Sequence, residues 1–172
     1  MNIQLATAED APTLAQIHVT TWQTAYVGMI DSDYLNNLDV SKITSDWQNA
    51  LSKPSPGITV IGKQDDHAIG FAVYGPTRDE GVDKTKTAEL VALNVLPDYW
   101  RHGYGKEFVS HILNDVTSQG YQDVTLWVIR ENERARRFYE ALGFVDDNTE
   151  KQETRLTIKP VFTLRYRKFL IH

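Results

Sequence analysis

The sequence predicts a single α/β domain on a mixed sheet flanked by helices, and three patterns carry that expectation. Residues 88–129 read as a strand, a glycine-bearing turn, a helix and a second strand, an order that gives a parallel pair joined by a right-handed crossover. Ahead of them, ITVIGK (58–63) and HAIGFAVYG (67–75) lie either side of Gln64, Asp65 and Asp66, the pattern of an antiparallel hairpin. The first fifty residues repeat apolar groups at helical spacing. At 172 residues the chain is long enough for one substantial core, and one domain spanning 1–172 is expected.

Taken in order, Ile3 and Leu5 alternate with polar neighbours in a short first strand. Thr7 and Asp10 then stand three apart in a capping-box arrangement, with Pro12 in the first helical turn. The helix that follows carries Leu14, Ile17, Val19, Trp22, Ala25 and Tyr26 and stops at Gly28. A second helical region over 31–51 breaks near 39–41, where Asp39 offers a new cap, and Pro54, Pro56 and Gly57 end it. After the hairpin, 76–86 is a polar loop. In AELVALNVLPDYWRHGYGK (88–106), Leu90, Val91, Ala92, Leu93 and Val95 form a strand covered on both faces, stopped by Pro97 and Asp98. Gly103 and Gly105 open the next helix, whose apolar positions Phe108, Val109, Ile112, Leu113 and Val116 run to Gly120. Without a Cβ those two glycines let a ligand lie against the main chain, so the turn offers a ring of amides at a helix N-terminus, suited to a pyrophosphate. VTLWVI (124–129) is a buried strand, 133–142 a short helix closed by Gly143, and Phe144 and Val145 start another strand. The tail alternates from Val161 to Tyr166 as a last strand at or near a sheet edge.

Composition narrows the function. With 41% hydrophobic and 24% charged residues the chain is an ordinary globular one, and its formal net charge of -5 argues against broad nucleic-acid binding and tilts towards a cationic small substrate. No cysteine is present, which excludes disulfides, thiolate metal sites and a cysteine nucleophile. His18, His67, His102, His111 and His172 are scattered, so no metal is expected. The start MNIQLATAED lacks the features of a signal peptide, and no apolar run approaches a membrane span. A cytoplasmic protein without membrane or nucleic-acid partners is the expectation.

Two motifs separated by a helix and a strand resemble the GCN5-related N-acetyltransferase (GNAT) family, which moves an acetyl group from acetyl-CoA to an amine. WRHGYG (100–105) is similar to the pyrophosphate motif Gln/Arg-x-x-Gly-x-Gly/Ala, with Trp100 in the place of the Gln or Arg. ENERARRFYEALGF (131–144) resembles Asn-x-x-Ala-x-x-Phe-Tyr-x-x-x-Gly-Phe at Asn132, Ala135, Phe138, Tyr139, Gly143 and Phe144. The resemblance implies a mixed, mostly antiparallel sheet with a central splayed parallel strand pair, and acetyl-CoA as co-substrate without a metal. It implies further that the amides of Arg101, His102, Gly103, Tyr104, Gly105 and Lys106 cradle the pyrophosphate. The backbone of Leu93 and Val95 would bind the pantetheine arm as an added strand, and the Asn132 amide would reach that arm too.

For the chemistry, the resemblance implies Glu89 as general base, directly or through water, because an alkylammonium of pKa near ~10 must lose a proton before it attacks. A backbone amide near Leu93 would hold the oxyanion, and Tyr139 would protonate the departing thiolate. Trp22 and Tyr26, with Trp47, are candidates to line the acceptor pocket.

Plainer readings stand beside these. The two glycines serve a tight turn, Asn132 caps a helix, Tyr139 and the helical aromatics are core, and Glu89 is a solvated strand-end carboxylate. Arg134, Arg136 and Arg137 are either a solvated helix face or a contact to the 3′-phosphate of CoA. A dinucleotide-binding domain fits less well, because the third glycine it expects is Phe108 and the 132–144 block goes unexplained. A non-enzymatic acyl-CoA sensor of the same fold is the other alternative. The acceptor, a small molecule or a peptide amine, is not readable, and a homodimer is the family habit.

Overall fold

A computed structural model describes residues 1–154 and 160–171; His172, one of the scattered histidines, lies outside the described residues. The elements run β1 (Asn2–Leu5), a 3-10 turn (Ala8–Asp10), α1 (Ala11–Ala25), α2 (Ser32–Asn36), α3 (Val40–Leu51), β2 (Ile58–Gln64), β3 (His67–Pro76), β4 (Thr87–Val95) and a second 3-10 turn (Pro97–Tyr99). They continue with α4 (Tyr104–Ser118), β5 (Asp123–Ile129), α5 (Glu133–Ala141), β6 (Val145–Glu153) and β7 (Val161–Phe169).

The predicted caps account for several boundaries. The Asp10 carboxylate accepts from the Thr7 N–H at 2.8 Å, and Asp39 accepts from the N–H of Ser41 at 2.8 Å, which starts α3 where a break was expected. Gly28, Gly120 and Gly143 take positive φ just beyond their helices. The hairpin closes more tightly than the sequence indicates: Gln64 remains in β2, and Asp65 (φ 49°) and Asp66 (φ 63°) alone make the turn, both residues being left-handed as a type I′ turn requires.

Seven strands form one sheet in the order β1-β2-β3-β4-β5-β7-β6. Every pairing is antiparallel except β4 with β5, so the sheet is mixed and mostly antiparallel, as the family resemblance implies. The last strand, β7, is one in from the edge, inserted between β5 and β6. The main core lies on one face, where Phe108, Val109, Ile112 and Val116 of α4 pack on Ala72, Ala88, Leu90, Val124 and Leu126. Phe108, which is fully buried, is seated over β2 and β3: a Cβ on Gly62 would come within 2.5 Å of its ring and one on Gly70 within 3.1 Å. On the opposite face Leu14 and Ile17 of α1 meet Ile61 and Phe71.

Candidate active site

The parallel pair is splayed. β4 and β5 stay in register only from Thr87↔Asp123 to Leu90↔Leu126, although β4 continues to Val95 and β5 to Ile129. A cause is visible on the other side of β4. Tyr74 of β3 pairs with Leu90 and Val73 with Ala92, leaving Val91 as a one-residue bulge at the point where the parallel ladder stops, and a bulge bends its strand. Beyond it, Leu96 returns its N–H to Ile69 of β3 at 2.8 Å. By alternation, Leu93 and Val95 turn their backbone groups towards the slot. The Val95 carbonyl already accepts from the Trp100 indole N–H at 2.6 Å, which leaves its N–H and the backbone of Leu93 facing the slot.

At the end of that slot the chain turns sharply into α4. Arg101 (φ 65°) and Gly103 (φ 87°) are both left-handed, which costs an arginine about 1–2 kcal/mol and is the kind of strain found where surrounding structure and function fix it. The first bond of α4 runs from the Glu107 N–H to the Gly103 carbonyl at 3.1 Å. Six consecutive N–H groups, from Arg101 to Lys106, therefore have no protein acceptor among the described residues, and the positive end of a fifteen-residue helix lies behind them. The two glycines differ in role. A Cβ at Gly103 would meet no protein atom within 4 Å, whereas one at Gly105 would press on the Phe138 ring at 3.1 Å, so Gly105 also serves close packing between α4 and α5.

α5 is aligned from both ends. Asn132 caps it, its Oδ1 accepting from the Ala135 N–H at 3.1 Å; the side chain is buried, and its Nδ2 donates to nothing among the described residues. Cap and candidate ligand contact thus coexist in one side chain. Arg136 fastens α5 to β7 by donating to the Tyr166 hydroxyl at 3.0 Å and to the Arg130 carbonyl at 3.1 Å. This holds Tyr139 among aromatic rings, 5.0 Å from Phe138 and 5.8 Å from Phe144, between centroids. Burial, and secondarily the nearby Tyr26 phenol, push the Tyr139 phenol well above its ordinary value. It therefore stays protonated throughout the physiological range.

The aromatic residues divide. Trp22 and Tyr26 touch at 5.1 Å, edge to face, and pack against the cluster of Ile30, Leu35, Ile129 and Val161, and Tyr26, just past α1, is near enough to act on the Tyr139 phenol. Trp47 instead meets Phe71 edge-on at 5.2 Å and packs, partly buried, on the cluster of Leu14, Ile17, Ile61 and Phe71 under α1, the plainer of its two expected readings.

Glu89 is buried rather than solvated, at 2% exposure. Its neighbours Ala88 and Leu90 face α4, so by alternation it faces the side of α1. Arg78 clamps it: Oε1 accepts from the guanidinium at 2.6 Å, and Oε2 accepts from Nε at 3.1 Å and from the Arg78 N–H at 2.9 Å. The Arg78 side chain is itself 64% exposed. Sequence reasoning missed this clamp. The pairing of Gly75 with Glu89 brings the residues just past β3 alongside the carboxylate, a register that no sequence spacing shows. Among the described residues no group of three or more potential ligands is arranged to hold a metal ion, and no helix is long and apolar enough to cross a membrane.

A splayed parallel pair leading to unpaired amides at a helix N-terminus defines the class of α/β fold. Comparison with known proteins gives the class a name. The family model for the GNAT acetyltransferase family matches residues 16–144. The chain is 30% identical over 161 residues, 91% of its own length and 88% of the relative's, to the uncharacterised N-acetyltransferase YuaI of Bacillus subtilis. It is 32% identical over 89 residues to the [ribosomal protein bS18]-alanine N-acetyltransferase of Haemophilus influenzae, a match covering 51% of this chain and 55% of that one. Its fold is that of the PaiA N-acetyltransferase from Thermoplasma acidophilum, solved with coenzyme A, at a TM-score of 0.72 and 20% identity over 95% of this chain and 96% of that one. The chain belongs to the GNAT family and is an N-acetyltransferase.

Proposed function

We propose that this enzyme binds acetyl-CoA in the slot between β4 and β5 and passes the acetyl group directly to an amine held on the α1 side of the sheet. The observation that carries the reading is the succession, along one stretch of chain, of unpaired β4 backbone at Leu93 and Val95 and the six unbonded N–H groups from Arg101 to Lys106. A pantetheine arm matches the first as an added strand, and a pyrophosphate matches the second. Bound acetyl-CoA supplies an activated thioester.

The chain's own residues do the rest. Asn132 Nδ2 donates to the arm. The Leu93 N–H faces the slot and donates to the acyl oxygen as charge builds on it. Tyr139, kept protonated by burial, donates its proton to the departing sulfur, and the second proton that the acceptor nitrogen sheds on becoming an amide returns to the phenolate. Glu89 takes the proton from the acceptor ammonium through a water, since both of its oxygens are engaged by Arg78, and the largely exposed Arg78 side chain is free to yield. Without a cysteine there is no thiol to carry the acyl group, which favours attack within a ternary complex.

For the acceptor, the net charge of -5 favours a small cationic amine. The likeness to a [ribosomal protein bS18]-alanine N-acetyltransferase over half the chain favours a peptide amine as the second reading. Turnover of acetyl-CoA across a panel of polyamines, amino acids and peptides with free N-termini tests both. Release of free thiol with one of these classes identifies it; acetyl-CoA binding without turnover on any of them would replace the enzyme mechanism by a sensor.

A further inference from the structure

The α1 side of the sheet carries one large side chain that neither motif explains. Trp127 follows Leu126, the β5 residue of the last parallel pair, so it is the first residue of that strand past the point where β4 leaves it. Leu126 and Val128 face α4, and Trp127 turns by alternation to the α1 side, the face that also carries Glu89. Glu89 pairs with Thr125, two residues back from Trp127 on that face, which puts the Cα atoms of Glu89 and Trp127 about 8 Å apart by strand geometry.

The ring is half-buried and braced. Its indole N–H donates to Asp79 at 3.0 Å, and Asp79 is held in turn by Arg165 at 3.1 Å. Consecutive residues of the β3–β4 connection thus hold the carboxylate and the ring, Arg78 clamping Glu89 and Asp79 fixing Trp127. On the ring lies an alkylammonium. Lys151 of β6 places its Nζ 4.0 Å from the ring centroid, within range of a cation–π contact. Arg165, 5.8 Å from the same ring, is tied to Asp79 and Asp147, whereas Lys151 is exposed and has no carboxylate partner among the described residues. Another ammonium can take its place at little cost, because the outgoing head regains water and its stem regains rotamer freedom.

We propose that the face of Trp127 is a subsite for a second cationic group of the acceptor, which Lys151 fills in its absence, and that the acceptor is a linear diamine or polyamine. This rests on the reading of the slot and of Glu89 given above. The amine that reacts gives its proton to Glu89, and the other ammonium displaces Lys151 from the ring. The spacing of Glu89 and Trp127 suits two amines joined by a short alkyl chain. A monoamine leaves Lys151 where it is and gains nothing from the ring.

The test compares the full chain with Lys151→Met, Trp127→Phe and Trp127→Leu, using 1,4-diaminobutane, spermidine and n-butylamine as probes. In nitrogen-15 spectra the indole N–H signal of Trp127 is the one lost in Trp127→Phe. The diamine and spermidine should shift that signal saturably, and at a roughly three- to thirtyfold lower concentration in Lys151→Met; n-butylamine should barely move it. In turnover with acetyl-CoA, KM for the diamine should fall by a similar factor in Lys151→Met and rise roughly three- to thirtyfold in Trp127→Leu. Lys151 is exposed, so Lys151→Met keeps the test open even where Trp127→Leu fails to fold, and equal melting temperatures check it. A Trp127 signal that the diamine does not move in Lys151→Met, a diamine KM indifferent to that substitution, or n-butylamine used as well as the diamine would each overturn the proposal. Acetyl-CoA binding without turnover of diamine or spermidine would overturn the acceptor class and leave the slot standing. Absence of acetyl-CoA binding would overturn the reading of the slot as well.

Discussion

At the scale of single residues, the site depends on groups whose hydrogen bonds are left open by the fold. Tyr139 is the sharpest case: a phenol kept protonated by burial is useful as a donor and useless as a base. Tyr139→Phe should lower kcat at least roughly tenfold while acetyl-CoA affinity stays nearly constant; steady-state rates and titration on the same sample check it, and unchanged turnover would remove the acid role. Because the phenol is raised, its proton is present below its folded pKa. Activity should show no loss attributable to Tyr139 as pH rises to about 10, its ordinary value. Gly103→Val places a β-branched residue at φ 87°, a conformation such a side chain resists. With no protein atom within 4 Å of that Cβ, the branch would project into the proposed cradle, and acetyl-CoA binding should be abolished. The sequence made both residues readable through their motifs. It did not show the Arg78 clamp on Glu89 or the Lys151–Trp127 contact, because each joins residues from separate elements and leaves no spacing behind.

At the scale of elements, the decisive feature is the Val91 bulge. It ends the parallel ladder at Leu90↔Leu126 and so opens the slot. The order of strands, the hairpin and the caps were legible because each has local chemistry: glycine at helix ends, aspartate at helix starts, apolar periodicity. The bulge was not, since VAL in mid-strand differs in no local way from the residues around it. Phe108 shows how a single position serves two inferences. It stands where a dinucleotide fingerprint needs glycine, and in the structure it fills the notches left by Gly62 and Gly70.

The far end of the sheet rests on a second irregularity. β6 loses register with β7 between Asp146 and Glu150, and there Asp147 accepts from Arg165 at 2.7 Å and from Arg167 at 3.3 Å. Burial alone would raise its carboxyl; hydrogen bonds from Thr149, Arg165 and Arg167 outweigh that and hold it below the usual value. A depressed folded pKa contributes stability that is fully present above the unfolded value, about 4, and is lost as pH falls through the folded one. Asp147→Asn should therefore cost about 1–2 kcal/mol at neutral pH, solvent screening included, and should flatten the loss of stability below pH ~4 in denaturant melts. An acid limb identical to that of the unaltered enzyme would mean that another group carries it.

For the whole molecule, seven strands and their helices converge on one function: a backbone-lined slot in a sheet that would otherwise be continuous, ending at a helix N-terminus. Membership of the GNAT family follows from the match over residues 16–144, while the acetyl-CoA reading is carried by this geometry. The acceptor was illegible in the sequence for a physical reason: aromatic residues follow the same helical spacing whether they line a pocket, as expected for Trp22 and Tyr26, or pack on a core cluster, as Trp47 does. The most direct measurement is calorimetric titration of the purified enzyme with acetyl-CoA and, separately, with NAD. Binding at roughly micromolar Kd by acetyl-CoA and no response to NAD is the predicted result. A response to NAD alone, or to neither, would contradict the account.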